Sequence, residues 1–258
     1  MDKSKIDKKT GKKNFLHDDH IYDLLIKHFK KFKIGNVEVL KNFLIYSRRQ
    51  NLKRFLIHYD LFKKTIDIPG DILELGVYRG EGLMTWANLL EIFCIGNRTK
   101  RVFGFDNWSG FKSFSKFDGQ TNKKAGKTIG GFNPKEFKNE LIESIKIFDK
   151  DRFIPWKKRI FLIDGDIEKT IKQFVKKNSG IRFSLVHFDM DLYKPTKIAL
   201  ETIFPLVVKN GILIFDDYAM PDWAGETKAV DNFLKKNPNL KLQNSSISNV
   251  PGAWIIKT

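Results

Sequence analysis

The sequence predicts an α/β fold: a mainly parallel sheet with helices on both faces, preceded by N-terminal helices and finished by an antiparallel hairpin. Three observations carry this. Short apolar runs alternate with stretches of helical period after residue 68, the helix-breaking Ile68-Pro69-Gly70 opens that series, and two short apolar runs close the chain. Ahead of the break, residues 1–15 are charged and aperiodic and read as a flexible tail. Over 16–67 apolar residues recur at helical spacing (Leu24, Leu25, His28, Phe29; Leu40, Phe43, Leu44; Leu52, Phe55, Leu56), which gives two or three helices. Strands are expected at Ile72–Val77, Arg101–Asp106, Arg159–Ile163, Phe183–Asp189 and Gly211–Asp216. Helices fit Leu83–Phe93, Lys135–Phe148, Ile167–Lys177, Pro195–Val207 and Thr227–Lys235. Strand, helix, strand in repetition implies parallel pairing, because each crossover returns the chain to the same sheet end. Leu240–Ser245 and Ala253–Lys257 read as the arms of the hairpin. Segment 107–133, rich in Gly, Lys, Ser and Asn, is too long for a plain connection. It follows the second strand directly, so it reads either as a lid over the sheet edge or as a surface insertion.

A chain of 258 residues is long enough for one large domain over 68–258 with a sizeable core. A single cysteine, Cys94, excludes an internal disulfide and a thiolate metal site, which suits a reducing compartment. No apolar run reaches the roughly 20 residues that span a bilayer, and the N-terminus lacks a signal-type segment. A soluble cytoplasmic protein is the expectation. The net charge of +17 is spread over pairs such as Lys30-Lys31, Lys123-Lys124 and Lys176-Lys177. There is no Arg-rich recognition helix, zinc-finger spacing or aromatic RNA-binding motif, so these charges read as a solvated surface that helps an anionic substrate. Nucleic acid and membrane are the lesser readings.

Three acidic clusters fall at predicted strand ends. The first is Glu74-Leu75-Gly76-Val77-Tyr78-Arg79-Gly80-Glu81-Gly82, between a strand and a helix. Glycines there let backbone approach a ligand, and the helix N-terminus offers free N–H groups. The spacing is not the dinucleotide Gly-x-Gly-x-x-Gly; Glu-x-Gly-x-x-x-Gly resembles motif I of S-adenosylmethionine (SAM) methyltransferases. Asp106 ends the next strand, where a carboxylate can accept both ribose hydroxyls. Asp166, after the third strand, is placed to meet an adenine edge or to cap the helix that follows.

The other clusters are His187-Phe188-Asp189-Met190-Asp191 and Phe215-Asp216-Asp217-Tyr218. Carboxylates this close repel one another unless a cation answers them, and oxygen-only ligands favour Mg²⁺, Mn²⁺ or Ca²⁺ over zinc. A hydroxyl on such an ion becomes more acidic, and a neighbouring carboxylate can take its proton. Asp191 and Asp217 have a plainer reading as caps of helices or turns. His187 shares a strand face with Asp189 and reads as core packing.

Together, His187-Phe188-Asp189-Met190-Asp191-Leu192-Tyr193-x-Pro195-Thr196, Gly211-x-x-x-Phe215-Asp216-Asp217-Tyr218 and Gly225-x-x-x-Ala229-Val230-Asp231 resemble the macrocin O-methyltransferase (TylF-like) family. Ile68-Pro69-Gly70-Asp71 leading to Gly76-Val77-Tyr78-Arg79-Gly80 fits it too, and the likeness runs from about Phe43 to the end. It implies the Rossmann-like class I methyltransferase fold and SAM- and metal-dependent methylation of sugar hydroxyls. By position it implies Asp189, Asp216 and Asp217 as ligands of Mg²⁺ or Mn²⁺, with Asp189 also the general base. Glu74, Gly76, Tyr78, Arg79, Gly80, Asp106 and Asp166 would line the SAM pocket. The acceptor would be a small-molecule sugar, nucleotide-linked or part of a surface glycan or natural product. Homo-oligomer formation is left open. The alternatives are a catechol-type O-methyltransferase, an RNA methyltransferase and a noncatalytic nucleic-acid-binding module. The catechol type resembles an Asp…Asp-Asn ligand set, against the Asp216-Asp217 pair here.

Overall fold

Five of the apolar runs form parallel strands. The computed structural model describes residues 4–6, 13–123, 126–248 and 250–258. Two short strands, β1 (Ser4–Ile6) and β2 (Lys13–Phe15), precede the helices α1 (Leu16–Lys31), α2 (Asn36–Lys41), α3 (Phe43–Tyr46) and α4 (Arg49–Lys63). The alternating part runs β3 (Asp71–Leu75), α5 (Glu81–Phe93), β4 (Val102–Asp106), α6 (Lys138–Asp151), β5 (Ile160–Asp164) and α7 (Ile167–Lys177). It continues with β6 (Phe183–Phe188), α8 (Tyr193–Ile203), β7 (Val207–Phe215), α9 (Ala224–Lys236) and β8 (Ala253–Ile256). The main sheet has the order β5-β4-β3-β6-β7-β8, parallel except for the last pair. Chain direction across the sheet reverses between β3 and β6, and a crevice opens outside the strand ends at such a point.

Every residue of β3 and of β6 is buried, as expected for strands covered on both faces. On one face, Ile72, Leu185, Ile212 and Ile214 pack with Ile57, Leu61 and Phe62 of α4, Trp86 and Leu90 of α5, and Leu141 of α6. On the other, Leu73, Val186, Phe188 and Phe215 pack with Ile171 and Phe174 of α7, Leu200 and Ile203 of α8, and Val230 of α9. No helix among the described residues is long and apolar enough to cross a membrane.

Two expectations change. The tail over 1–15 lies largely outside the described residues, and within it Ser4–Ile6 pairs antiparallel with Lys13–Phe15. The terminal hairpin is shorter than expected: β8 pairs antiparallel with β7 along its length, and the 240–245 arm joins it through one antiparallel bridge, Gln243 to Trp254. Leu240 and Leu242 alternate because they pack on the core beneath, not because they join a ladder. In α4 the buried stripe is Ile57, His58, Leu61 and Phe62, while Phe55 and Leu56 face out. Leu40, Phe43 and Leu44 are exposed as well, so the apolar face expected there is not the core face.

Gly76 joins the first strand to the site. Its φ is +95°, and a Cβ at that position would fall on the Asp189 carbonyl oxygen. Only glycine permits the loop after β3 to lie against β6. Gly76→Ala should therefore lower stability by about 3 kcal/mol or more, from positive-φ strain and overpacking together. Thermal unfolding checks this; a melting point unchanged from the parent protein contradicts it.

Candidate active site

Register brings the carboxylates together. Glu74 pairs with His187, which pairs with Ile214, so the three form one row across β3, β6 and β7. Two residues on, Asp189 and Asp216 continue the same sheet face just past the strand ends. Their amides are still held by the sheet, Asp189 N to Leu75 O at 2.8 Å and Asp216 N to Phe188 O at 2.9 Å. That face is covered by α4, which brings Arg54 and His58.

Arg54 forks across the pair. Nη2 lies 3.2 Å from Asp189 Oδ2 and Nη1 lies 3.1 Å from Asp216 Oδ2. The other oxygen of Asp216 is 3.1 Å from Nε2 of His187, a fully buried side chain. Behind it, Glu74 Oε2 accepts from the Trp86 indole at 2.8 Å and sits 3.5 Å from His187 Nδ1. Burial alone would lower the His187 pKa, but Asp216 and the negative charge of Glu74 raise it to about 10. His187 thus sits between two carboxylates. Burial works against ionised Asp216 too, yet Arg54 and His187 hold it below the usual carboxylate range. Asp189 goes the other way: burial and the Asp216 charge outweigh Arg54 and push it up to about 7. His58, packed on Trp86 with both ring nitrogens unpartnered among the described residues, has its pKa driven well down by burial.

Asp217 follows Asp216 just past the end of β7. Its amide donates to Glu226 Oε1 at 2.8 Å, and burial pushes Asp217, Asp191 and Glu226 well above the carboxylate range. Neither Asp191 nor Asp217 is a helix cap: the N-cap of α8 is Leu192, without a side-chain bond. Asp189, Asp216 and Asp217 each present a carboxylate oxygen within 4.8 Å of the others. Asp217 Oδ2 is buried with no partner among the described residues.

These carboxylates stand at one end of a cavity of about 870 Å³. Glu74, Gly76, Tyr78, Arg79, Asp106 and Asp166 all line it. Gly80 does not; it turns the loop into α5 in a left-handed conformation, φ +87°. Glu74 is spent on Trp86 and His187. Asp106 Oδ2 accepts from the amides of Val77 and Tyr78 at 3.0 and 2.9 Å, and Oδ1 from Trp108 N at 2.7 Å. It first shapes the glycine loop; burial nevertheless raises its pKa. Asp166 caps α7 through Glu168 N at 3.1 Å and lies 3.4 Å from Lys112 Nζ. Arg79 lies over the Phe137 ring at 4.0 Å.

A model described as macrocin-O-methyltransferase (TylF) matches residues 47–254, the span that holds Arg54 and every carboxylate above. The chain belongs to the TylF family. The crystal structure of CalS11, calicheamicin methyltransferase, superposes with a TM-score of 0.85 at 27% identity, covering 94% of this chain and 93% of that one. The apo structure of CalS11, described as TDP-rhamnose 3′-O-methyltransferase, gives 0.78 at 26% identity over 94% and 95%. The O-methyltransferase NovP shares the fold at 0.58 and 20% identity, over 80% of both chains. Among curated proteins none matches.

In this TylF-family chain the long segment after β4 packs over the cavity. Asp118, buried at its centre, accepts from Tyr193 N at 2.6 Å and Ser115 N at 2.5 Å. Lys127, also buried, donates to the carbonyls of Asp118 and Asp222. Phe111 and Phe132 meet Trp223, and Phe117 meets Tyr193. Asp118, Lys127 and Trp223 carry no motif, so only their depth in the fold reveals them; Arg54 escaped for the same reason. Asp118→Ala should cost about 2–4 kcal/mol through two charge-assisted bonds. Limited proteolysis should then cut within 107–133 faster than in the parent protein; equal rates count against this anchoring.

Proposed function

We propose that this TylF-family protein is a SAM- and divalent-cation-dependent O-methyltransferase that acts on a sugar hydroxyl, with a nucleotide-activated sugar as acceptor. The observation that carries the reading is the Asp189, Asp216, Asp217 group at the end of a cavity walled on its other side by the Gly76 loop. The residues fit a hard cation: the donors are all oxygen, and the buried Asp217 Oδ2 lacks a partner. They also fit a sulfonium ligand. Gly76 keeps the wall free of a side chain, Glu81 and Asp106 make it acidic, and about 870 Å³ leaves room for two small ligands.

When bound, the cation acidifies the acceptor hydroxyl and SAM supplies the electrophilic methyl group. Asp189, the partly exposed member, takes the hydroxyl proton as general base. Asp216 is held in place by His187, 3.1 Å away. The segment around Asp118 and Trp223 excludes water from the transfer. Lys112, Lys169 and Lys194 line the cavity and support an acceptor that carries phosphate. The description of CalS11 as acting on TDP-rhamnose points the same way.

Incubation with SAM and a panel of nucleotide-activated sugars, with and without EDTA, should give a methylated sugar by mass spectrometry only without the chelator. Asp189→Asn should lower kcat by about a thousandfold. A product that survives EDTA would remove the cation from the mechanism.

A further inference from the structure

Arg54 stands where the cation reading leaves it no role. It lies on α4 one turn ahead of the buried Ile57 and His58, so the helix aims it at the ends of β6 and β7. Asp216 has two oxygens. One faces His187, which is fully buried on β6 and has Glu74 behind it, so it cannot withdraw. The other is held by Arg54, which also holds Asp189 Oδ2. A cation that uses Asp216 therefore needs the oxygen that the guanidinium occupies, and a divalent ion and Arg54 on the same carboxylate would repel each other. Among the described residues, Asp217 Oδ2 is a buried carboxylate oxygen with no partner. Of the two side chains on Asp216, Arg54 is the one able to leave. Its side chain is 22% exposed, and its neighbours Lys53 and Phe55 face outward.

We propose that Arg54 is a built-in competitor for the metal site. It bridges Asp189 and Asp216 in the cation-free protein, holds the two carboxylates close together, and swings off when a divalent ion binds. Arg54 is thus a positioning residue with a gating consequence: metal affinity is set by how easily α4 releases it. This rests on the reading of the acidic group as a cation site.

The test uses the full chain, with Arg54→Met and Arg54→Lys beside the parent protein. MgCl₂ and MnCl₂ are titrated by calorimetry, and thermal unfolding is followed with and without metal. If the arginine-off form is about one part in ten of the cation-free protein, Arg54→Met should bind metal about tenfold tighter. It should also melt lower without metal and gain more from saturating metal than the parent does. Arg54→Lys keeps a charge but cannot fork across both carboxylates, so it should tighten binding by a smaller factor; it also serves if the Met variant fails to fold. Equal or weaker binding by both variants overturns the proposal while leaving the cation site intact. No binding by any of the three proteins removes the cation site itself, and the proposal with it.

Discussion

Two carboxylates held side by side at the end of a parallel sheet must be answered by positive charge. Here Asp189 and Asp216 are fixed by the register of β6 and β7, with their own amides tied into the ladder. Neither can move away without breaking a sheet hydrogen bond. Arg54 and His187 supply the charge, one from the helix above and one from the strand itself. Removing one partner of a buried ion pair costs about 3–5 kcal/mol, and less where water reaches the group, as it does at Asp189. The N-terminal helix α4 is therefore part of the site.

The rest of the architecture serves that edge. Buried β3 and β6 set Glu74 beside His187, Trp86 from α5 satisfies Glu74, and Gly82 leaves room for that carboxylate. Asp106 draws the Gly76 loop down onto the sheet by accepting its amides, which shapes the opposite wall of the cavity. A buried chain of polar groups thus runs from Trp86 through Glu74 and His187 to Asp216 and Arg54. Such chains hold their members in one arrangement, because any vacancy in low dielectric is expensive.

Much of this was legible in the sequence. The alternation of strand and helix, the break at Pro69-Gly70 and the acidic residues at strand ends each follow from local pattern, and the structure has all three. The TylF likeness rests on the same strand-end motifs. What was hidden depended on distance along the chain. Arg54 reaches Asp189 and Asp216 across 135 and 162 positions, and no periodicity marks it. His187 looked like packing because its partner Asp216 lies on another strand. Asp106 and Asp166 were visible as carboxylates, but their bonds to loop amides and to the α7 terminus appear only once the loops are in place. Apolar spacing also misled at Leu240 and Leu242, where packing and pairing give the same alternation.

The central claim is that the carboxylates at this edge form a cation site that Arg54 guards. Anomalous diffraction from crystals soaked in MnCl₂ tests it most directly. The account predicts one strong manganese peak bounded by Asp189, Asp216 and Asp217, with the Arg54 guanidinium moved off Asp216. Arg54 still bridging the two aspartates, with no peak between them, would contradict it.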